Sequence, residues 1–475
     1  MKKVLALTLA LCMIFALCAC GSTATTETAA TETATAATET ATTEAAAVET
    51  VEATSDEPIE LTWWTYYGDS QQGYLQTSID KFNEQQSKYH VTMVYQGSQA
   101  ECIAKLEATD KANLPDIFNF GVEDVGTCDA ADYCMNLQYF LDQDTEGWPE
   151  LEGTWAGLRA SYSNPDGDLI GYPCGYSYYC IWYNKDIFTE AGIDASALTS
   201  FDDLYEVSKT LVEGGYCTYG IGFHPVGYYV NGAITREGLK AYNNDNGWSG
   251  ERITECLYTS DATVNAALTN MLTVYQKMSA ENLMVPYGTN WQTEILPMMG
   301  NGDCAMLMVT ISAYTRVKAA ADGNWEIGIM PMLSCTEDGK LTSEPAGGTG
   351  IFAANTGNEE KMWGAYEFIK FMSEAEQSAD FAIKTGYLAP NEQSYNDPSY
   401  QEFLKNDLPA AEAVYDSLEN CNESGYYPYI PICNEMVVTN KTLVETACAG
   451  GNIADAIAAA EETIQEAIEM YNLSN

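Results

Sequence analysis

From Pro58 to Phe120 two hydrophobic periods alternate, and this restricts the fold more than any other feature of the chain. Ile59-Glu60-Leu61-Thr62-Trp63-Trp64 alternates with period two and reads as a strand. A Gly-containing loop over 67–73 follows, then Leu75, Ile79 and Phe82 recur at helical spacing. Residues 91–95 are a second strand, 105–112 a helix, and 116–120 a short buried strand behind Pro115. Strand, helix, strand, helix, strand is the order of βαβ units, so an α/β fold with a parallel sheet is expected. The pattern continues downstream. Ser200-Phe201-Asp202-Asp203 is a capping box opening a helix to about 212. Strands are expected at 304–310, 327–330 and 350–354, and Met362, Ala365, Tyr366, Ile369 and Met372 mark a helix. Ser373-Glu374-Ala375-Glu376 is expected to cap the next, and Ile453, Ile457, Ile464 and Ile468 an amphipathic helix near the C-terminus.

The segment before Pro58 cannot join this fold. Lys2 and Lys3 precede an apolar run of 14 residues, 4–17, too short to span a hydrocarbon core that needs about 20. It has the form of a secretory signal, residues 1–19. Its end, Leu17-Cys18-Ala19-Cys20-Gly21, resembles a lipobox, which implies acylation of Cys20 as the new N-terminus. Residues 20–57 are almost wholly Thr, Ala and Glu and lack the large apolar groups of a core. They are expected to form a solvated tether spanning roughly 35 Å. The membrane is thus met by the lipid anchor only, and the location is extracytoplasmic.

Charge narrows the partners. Asp and Glu number 68 against 21 Lys and Arg, a net charge of −47. Such a field repels nucleic acid and anionic headgroups. Only four arginines are present: Arg159, Arg236, Arg252 and Arg316. Twelve cysteines follow Cys12, Cys18 and Cys20, an even number that permits disulfides outside the cell. Cys128 with Cys134, or Cys421 with Cys433, are close enough in sequence to bridge; free buried thiols are the alternative. No Cys or His spacing has the form of a metal site, and no cofactor is implied.

Four further marks carry a resemblance. Tyr183-Asn184-Lys185-Asp186-Ile187-Phe188, ending in Ala191-Gly192, resembles a signature of extracellular solute-binding proteins of ABC sugar-uptake transporters. Leu114-Pro115-Asp116-Ile117, Gly302-Asp303-Cys304-Ala305-Met306 and Thr385-Gly386-Tyr387-Leu388 resemble other marks of that family, in the same order. Val94-Tyr95-Gln96-Gly97-Ser98 and Gly347-Gly348 are similar to its glycerol-3-phosphate-binding branch. The resemblance implies a two-lobed periplasmic-binding-protein-like fold of type II, with discontinuous lobes joined by hinge strands. By that analogy lobe 1 comprises 58–176 and 330–373, and lobe 2 comprises 177–329 and 374–475. It implies a monomer that captures a solute and delivers it to ABC permease subunits, without catalysis.

A sugar offers hydroxyls to hydrogen-bond and C–H faces to stack, so its site combines aromatics with polar side chains. The chain has 32 Tyr, 9 Trp and 13 Phe, many in loop clusters. Trp64, Tyr66 and Asp69 follow the first strand, with one of Trp63 and Trp64 expected in the core. Tyr176, His224, Tyr228 and Tyr427 come from three further clusters. The branch resemblance points in addition to Gln99, Glu123 or Asp124, Ser177, Ser312, the Gly347-Gly348 backbone and Tyr387 as ligand contacts. It also places a phosphate-binding arginine in the segment matching 425–434, where this chain has tyrosines and no basic residue. A neutral oligosaccharide is therefore the expected ligand, with glycerol-3-phosphate or a glycerophosphodiester as the alternative. A surface carbohydrate-active enzyme is the competing class; no GxSxG, HExxH or P-loop supports it.

Overall fold

The computed structural model describes residues 57–336, 341, 345, 347–408, 411, 415 and 426–474. The leader, Cys20 and the tether lie outside the described residues, as does Cys421. The strands in chain order are β1 (Ile59–Thr65), β2 (Tyr89–Tyr95), β3 (Ile117–Gly121), β4 (Cys134–Met135) and β5 (Tyr172–Ser177). Then come β6 (Tyr179–Asn184), β7 (Tyr219–Phe223), β8 (Cys304–Thr310), β9 (Ile327–Pro331) and β10 (Gly347–Ala354). They form two sheets: β2-β1-β3-β10-β4, with β5 also on β10, and β7-β8-β6-β9.

β1 pairs parallel with β2 from Ile59↔Tyr89 to Thr65↔Tyr95, and parallel with β3 at Trp63↔Ile117. This is the expected βαβ order. The sheet is nonetheless mixed, because β10 runs antiparallel to β3 and β5. The reason is topological: β10 enters from the other sheet rather than through a crossover helix, so it runs in the opposite sense. Leu61, Trp63 and Thr65 point inward. Trp63 is the core member of the tryptophan pair and meets Phe368 edge-to-face at 5.5 Å. Such a contact adds about 0.5–1.5 kcal/mol to the burial of the rings.

The helices that frame the sheets are α1 (Asp69–Gln85), α2 (Gln99–Glu107), α3 (Phe201–Glu213), α4 (Ala262–Ala280) and α5 (Tyr314–Ala321). They continue with α6 (Glu359–Ser373), α7 (Ala375–Thr385), α8 (Cys433–Cys448) and α9 (Ile453–Ser474). Leu75, Ile79 and Phe82 of α1 are buried as their spacing requires. The capping box of α3 forms: Ser200 Oγ accepts from the Asp203 amide, and the Asp203 carboxylate accepts from the Ser200 amide. Two local expectations shift. The helix expected at 105–112 is α2, which starts earlier because Ser98 and Glu101 make their own capping box. Ser373 does not cap α7; it ends α6, donates to the Lys370 carbonyl at 2.6 Å and accepts from Trp148 Nε1 at 2.8 Å.

The chain changes sheets within one residue. β5 ends at Ser177, β6 begins at Tyr179, and only Tyr178 separates them. It returns between Pro331 and Gly347. The two passages are paired to each other on both sides, Gly347↔Ser177 in the first sheet and Cys180↔Pro331 in the second. The expected limit at 329 falls inside β9, and Met332 and Leu333 still pack in the second sheet's core. The expected limit at 374 assigns α7 to the second lobe, yet Phe381 of α7 packs against Tyr67 and Tyr74 in the first lobe's core. No disulfide joins the described cysteines: Cys128 and Cys134 are free thiols. Burial, followed by the Cys134 thiol beside it, pushes the Cys128 thiol well up, so the reactive thiolate is scarce.

Candidate functional site

A cavity of about 370 Å³ lies where the chain passes between the sheets. The passages form its floor through Ser177, Tyr178, Gly347 and Gly348. Neither glycine tolerates a side chain. A Cβ at Gly347 would lie 2.6 Å from the Ser177 carbonyl oxygen; one at Gly348, with φ +123°, would lie 2.1 Å from that of Gly175. Glycine is required here because two hinge backbones must touch.

One wall comes from the first sheet. Tyr66 follows β1, Gln99 opens α2, and Glu123 follows β3. Thr310 ends β8 with Ser312 just beyond it, and His224 follows β7 on the opposite wall. Trp291, Gln292 and Arg316 complete that wall, while Tyr387 and Tyr427 close the rim. These strand contributions come from carboxyl ends, where open α/β sheets present ligand crevices.

Gln99 organises the acidic wall. Its Nε2 donates to Glu123 Oε1 at 3.2 Å and to Asp124 Oδ2 at 2.6 Å. One amide thus bridges two buried carboxylates. Burial, then the neighbouring Asp124 charge, pushes the Glu123 carboxyl far above the usual range; burial also raises Asp124. Burial and the neighbouring charge thus favour the protonated form of Glu123. Glu123 can therefore donate as well as accept a hydrogen bond at neutral pH.

Across the cavity His224 is neutral: burial, then the Arg316 charge, holds its imidazole down to about 4. Its Nδ1 is buried with no hydrogen-bond partner among the described residues. The Arg316 guanidinium sits 5.7 Å from the Trp291 ring centre, in cation–π range. Ser177 is 2% exposed and its Oγ also lacks a partner among the described residues. Ser312 Oγ and Thr310 Oγ1 share a hydrogen bond at 2.8 Å, as do Tyr66 Oη and Thr349 Oγ1 at 3.2 Å. The cavity therefore combines ring faces with polar atoms of both senses.

Of the residues picked out in the sequence, Tyr66, Gln99, Glu123, Ser177 and His224 line the cavity. Ser312, Gly347, Gly348, Tyr387 and Tyr427 do so as well. Three do not. Trp64 packs on the hydrophobic cluster holding Phe118 and Ile103, because β1 turns its odd positions inward and Trp64 onto the other face of the sheet. Tyr176 is fully buried, its ring stacked on Tyr178 at 6.1 Å and its backbone bonded to Leu388. Asp124 lines a separate hollow with Glu107 and Cys433 and is tied to the cavity wall through Gln99. The side chains of Asp69 and Tyr228 lie outside the described residues. Trp291, Gln292 and Arg316 were missed. Trp291 and Gln292 belong to no strand end or aromatic cluster, and Arg316 sits in α5 beyond Ser312, outside the quoted motifs of the sequence.

Two sheets joined by a paired double passage, with a polar aromatic cavity at the junction, define the two-lobed class of periplasmic-type binding proteins. The chain belongs to the bacterial extracellular solute-binding protein family, whose model matches residues 77–413. The sn-glycerol-3-phosphate-binding periplasmic protein UgpB of Rhizobium meliloti (strain 1021) is 24% identical over 357 residues, covering 73% of this chain and 78% of its own length. Among solved structures, the substrate-binding protein Lmo0181 of Listeria monocytogenes, in complex with cycloalternan, superposes with a TM-score of 0.70 at 18% identity. That match covers 87% of this chain and 99% of the other. A solute-binding protein of Agrobacterium radiobacter K84, in complex with ribitol, gives 0.69 at 19% identity with the same coverage. Those structural likenesses establish the fold.

Proposed function

We propose that this protein is the solute-capturing subunit of an ABC importer and takes a carbohydrate in the cavity between its lobes. The observation that carries this reading is the wall chemistry: ring faces of Tyr66, Trp291, Tyr387 and Tyr427 stand beside Gln99, Glu123, Ser177 and Ser312. Rings match sugar C–H faces, and the polar atoms match hydroxyls, which both donate and accept. The ten cavity-lining residues expected from the sequence serve as ligand contacts in this reading. The solutes named for the similar structures, a cyclic oligosaccharide and a polyol, point the same way.

The protein binds rather than cleaves. Glycoside hydrolysis needs two carboxylates flanking the scissile bond. Glu123 is the only carboxylate among the described lining residues, and its neighbour Asp124 lines a separate hollow. The two lobes close on the sugar about the paired strand ends, Ser177 with Gly347 and Cys180 with Pro331, and the closed form is presented to the permease subunits. Cys20 carries the lipid that holds the chain at the membrane, and the acidic tether sets its distance. Thermal-shift screening of the secreted chain against mono- and oligosaccharides, polyols and glycerol phosphates tests this. A carbohydrate present at 100 times its Kd is expected to add about 2.7 kcal/mol of stability. Stabilisation by glycerol phosphates alone overturns the carbohydrate reading.

A further inference from the structure

Among the described residues many lysines meet a carboxylate: Lys185 meets Glu326, Lys209 meets Glu281, Lys318 meets Asp407 and Lys370 meets Asp144. That is what an excess of acidic residues produces. Arg316 is different. It lies half-buried on the cavity wall, and no described carboxylate pairs with it. Its contact is the Trp291 ring, 5.7 Å from the guanidinium carbon. Among the described residues nothing accepts from its N–H groups, so they are left for a bound solute. Beside it His224 adds an imidazole whose Nδ1 is buried without a partner among the described residues, 5.5 Å ring to ring from Trp291. The opposite wall is acidic, with Glu123 held by Gln99.

The cavity is thus polarised across its width, and a solute that fills it must complement both walls. We propose that the solute is an acidic sugar, a carbohydrate bearing one carboxylate of the uronic-acid type, with the carboxylate held by Arg316 and its hydroxyls directed at Glu123 and Gln99. This deepens the carbohydrate reading and rests on it. One guanidinium presents two parallel N–H groups, the geometry of a carboxylate. It balances one negative charge. A phosphomonoester dianion would leave a second charge unpaired in a partly dry cavity inside a chain of net charge −47, which is costly. The expectation of a neutral sugar rested on the missing arginine at 425–434. Arg316 brings a cation to the cavity from a different element, α5.

The test is isothermal titration calorimetry of the full secreted chain. The probes are galacturonate, glucuronate and digalacturonate, the matching neutral sugars galactose, glucose and digalactose, and sn-glycerol 3-phosphate. The wild type is expected to bind at least one uronate about 100-fold more tightly than its neutral counterpart, a difference of about 2.7 kcal/mol. Arg316→Gln is expected to erase that preference, and Arg316→Lys to keep part of it, with thermal melts showing both variants folded. The preference should also shrink as salt is raised. If neutral sugars bind the wild type as well as uronates do, or if Arg316→Gln leaves uronate affinity unchanged, the inference is overturned while carbohydrate capture stands. If no sugar of either kind binds, both fail. Arg316-dependent binding of glycerol phosphate alone also overturns it.

Discussion

Glu123 shows how neighbouring residues in one turn acquire different roles. It and Asp124 follow the same strand, are both buried and share the Gln99 amide, yet only Glu123 faces the cavity. Its raised pKa has a consequence for stability. Between the ordinary carboxylate value and its raised folded value, the native state binds more protons than the unfolded chain, so stability falls as pH rises through that window. A folded value of about 8 places the window at roughly pH 5–8. Glu123→Gln removes the titrating group, and its melting temperature is expected to vary less over that range and to exceed the wild type at pH 8. One pKa unit is worth about 1.4 kcal/mol, so a gain on the order of 2 kcal/mol is expected at pH 8; an unchanged pH profile would show that Glu123 titrates normally. Tyr387 gives a second test. Its ring leans on Phe381 at 5.6 Å while lining the cavity. Tyr387→Ala is expected to weaken solute binding at least tenfold while costing about 1–2 kcal/mol of stability, less than the 3–5 of a fully buried aromatic. A larger loss of stability with unchanged affinity would assign Tyr387 to the core. At this scale the sequence was only partly legible. Gln99, Ser177, Ser312 and Tyr387 could be found because each sits in a quoted motif at an element's end. Trp64, Tyr176 and Asp124 could not be separated from Tyr66, Ser177 and Glu123, because adjacent residues face opposite ways and nothing local says which way the cavity lies.

At the scale of elements, period and caps carried most of the information. β1, β8 and α3 stand where alternation and the Ser200–Asp203 box put them. α2 moved because a second box at Ser98–Glu101 outweighed the apolar spacing further on. Strand direction was not legible for β10: the strand is a run of small and apolar residues whichever way it lies, and only the return from the second sheet makes it antiparallel. The hinge is the element most exposed to mutation. At Gly348 an added Cβ meets the Gly175 carbonyl oxygen and the positive φ is unfavourable for any side chain. Gly348→Ala is expected to cost about 2–4 kcal/mol, read as a fall in denaturant midpoint, and to weaken solute binding by displacing the Ser177 passage. A wild-type midpoint with wild-type binding would mean that the two passages are not in contact.

The described part of the molecule holds a pair of mixed sheets whose shared junction is also the candidate binding cavity. The chain builds it from the ends of β1, β3, β7 and β8, so the site is scattered through the sequence and becomes one place only after both sheets form. That is why the fold class was legible from βαβ order and family marks, whereas Trp291 and Arg316, on separate segments, were not. Carbohydrate capture at this junction is measured most directly by titrating sugars into the full secreted chain and its Gln99→Ala variant by calorimetry. Gln99 lines the cavity and anchors Glu123 but lies outside the three hydrophobic clusters, so its loss should spare the fold. The expected result is one-to-one binding of a sugar by the wild type, weakened at least tenfold in Gln99→Ala, with thermal melts showing the variant still folded. Sugar binding that is indifferent to Gln99, or no sugar binding by the wild type, would contradict it.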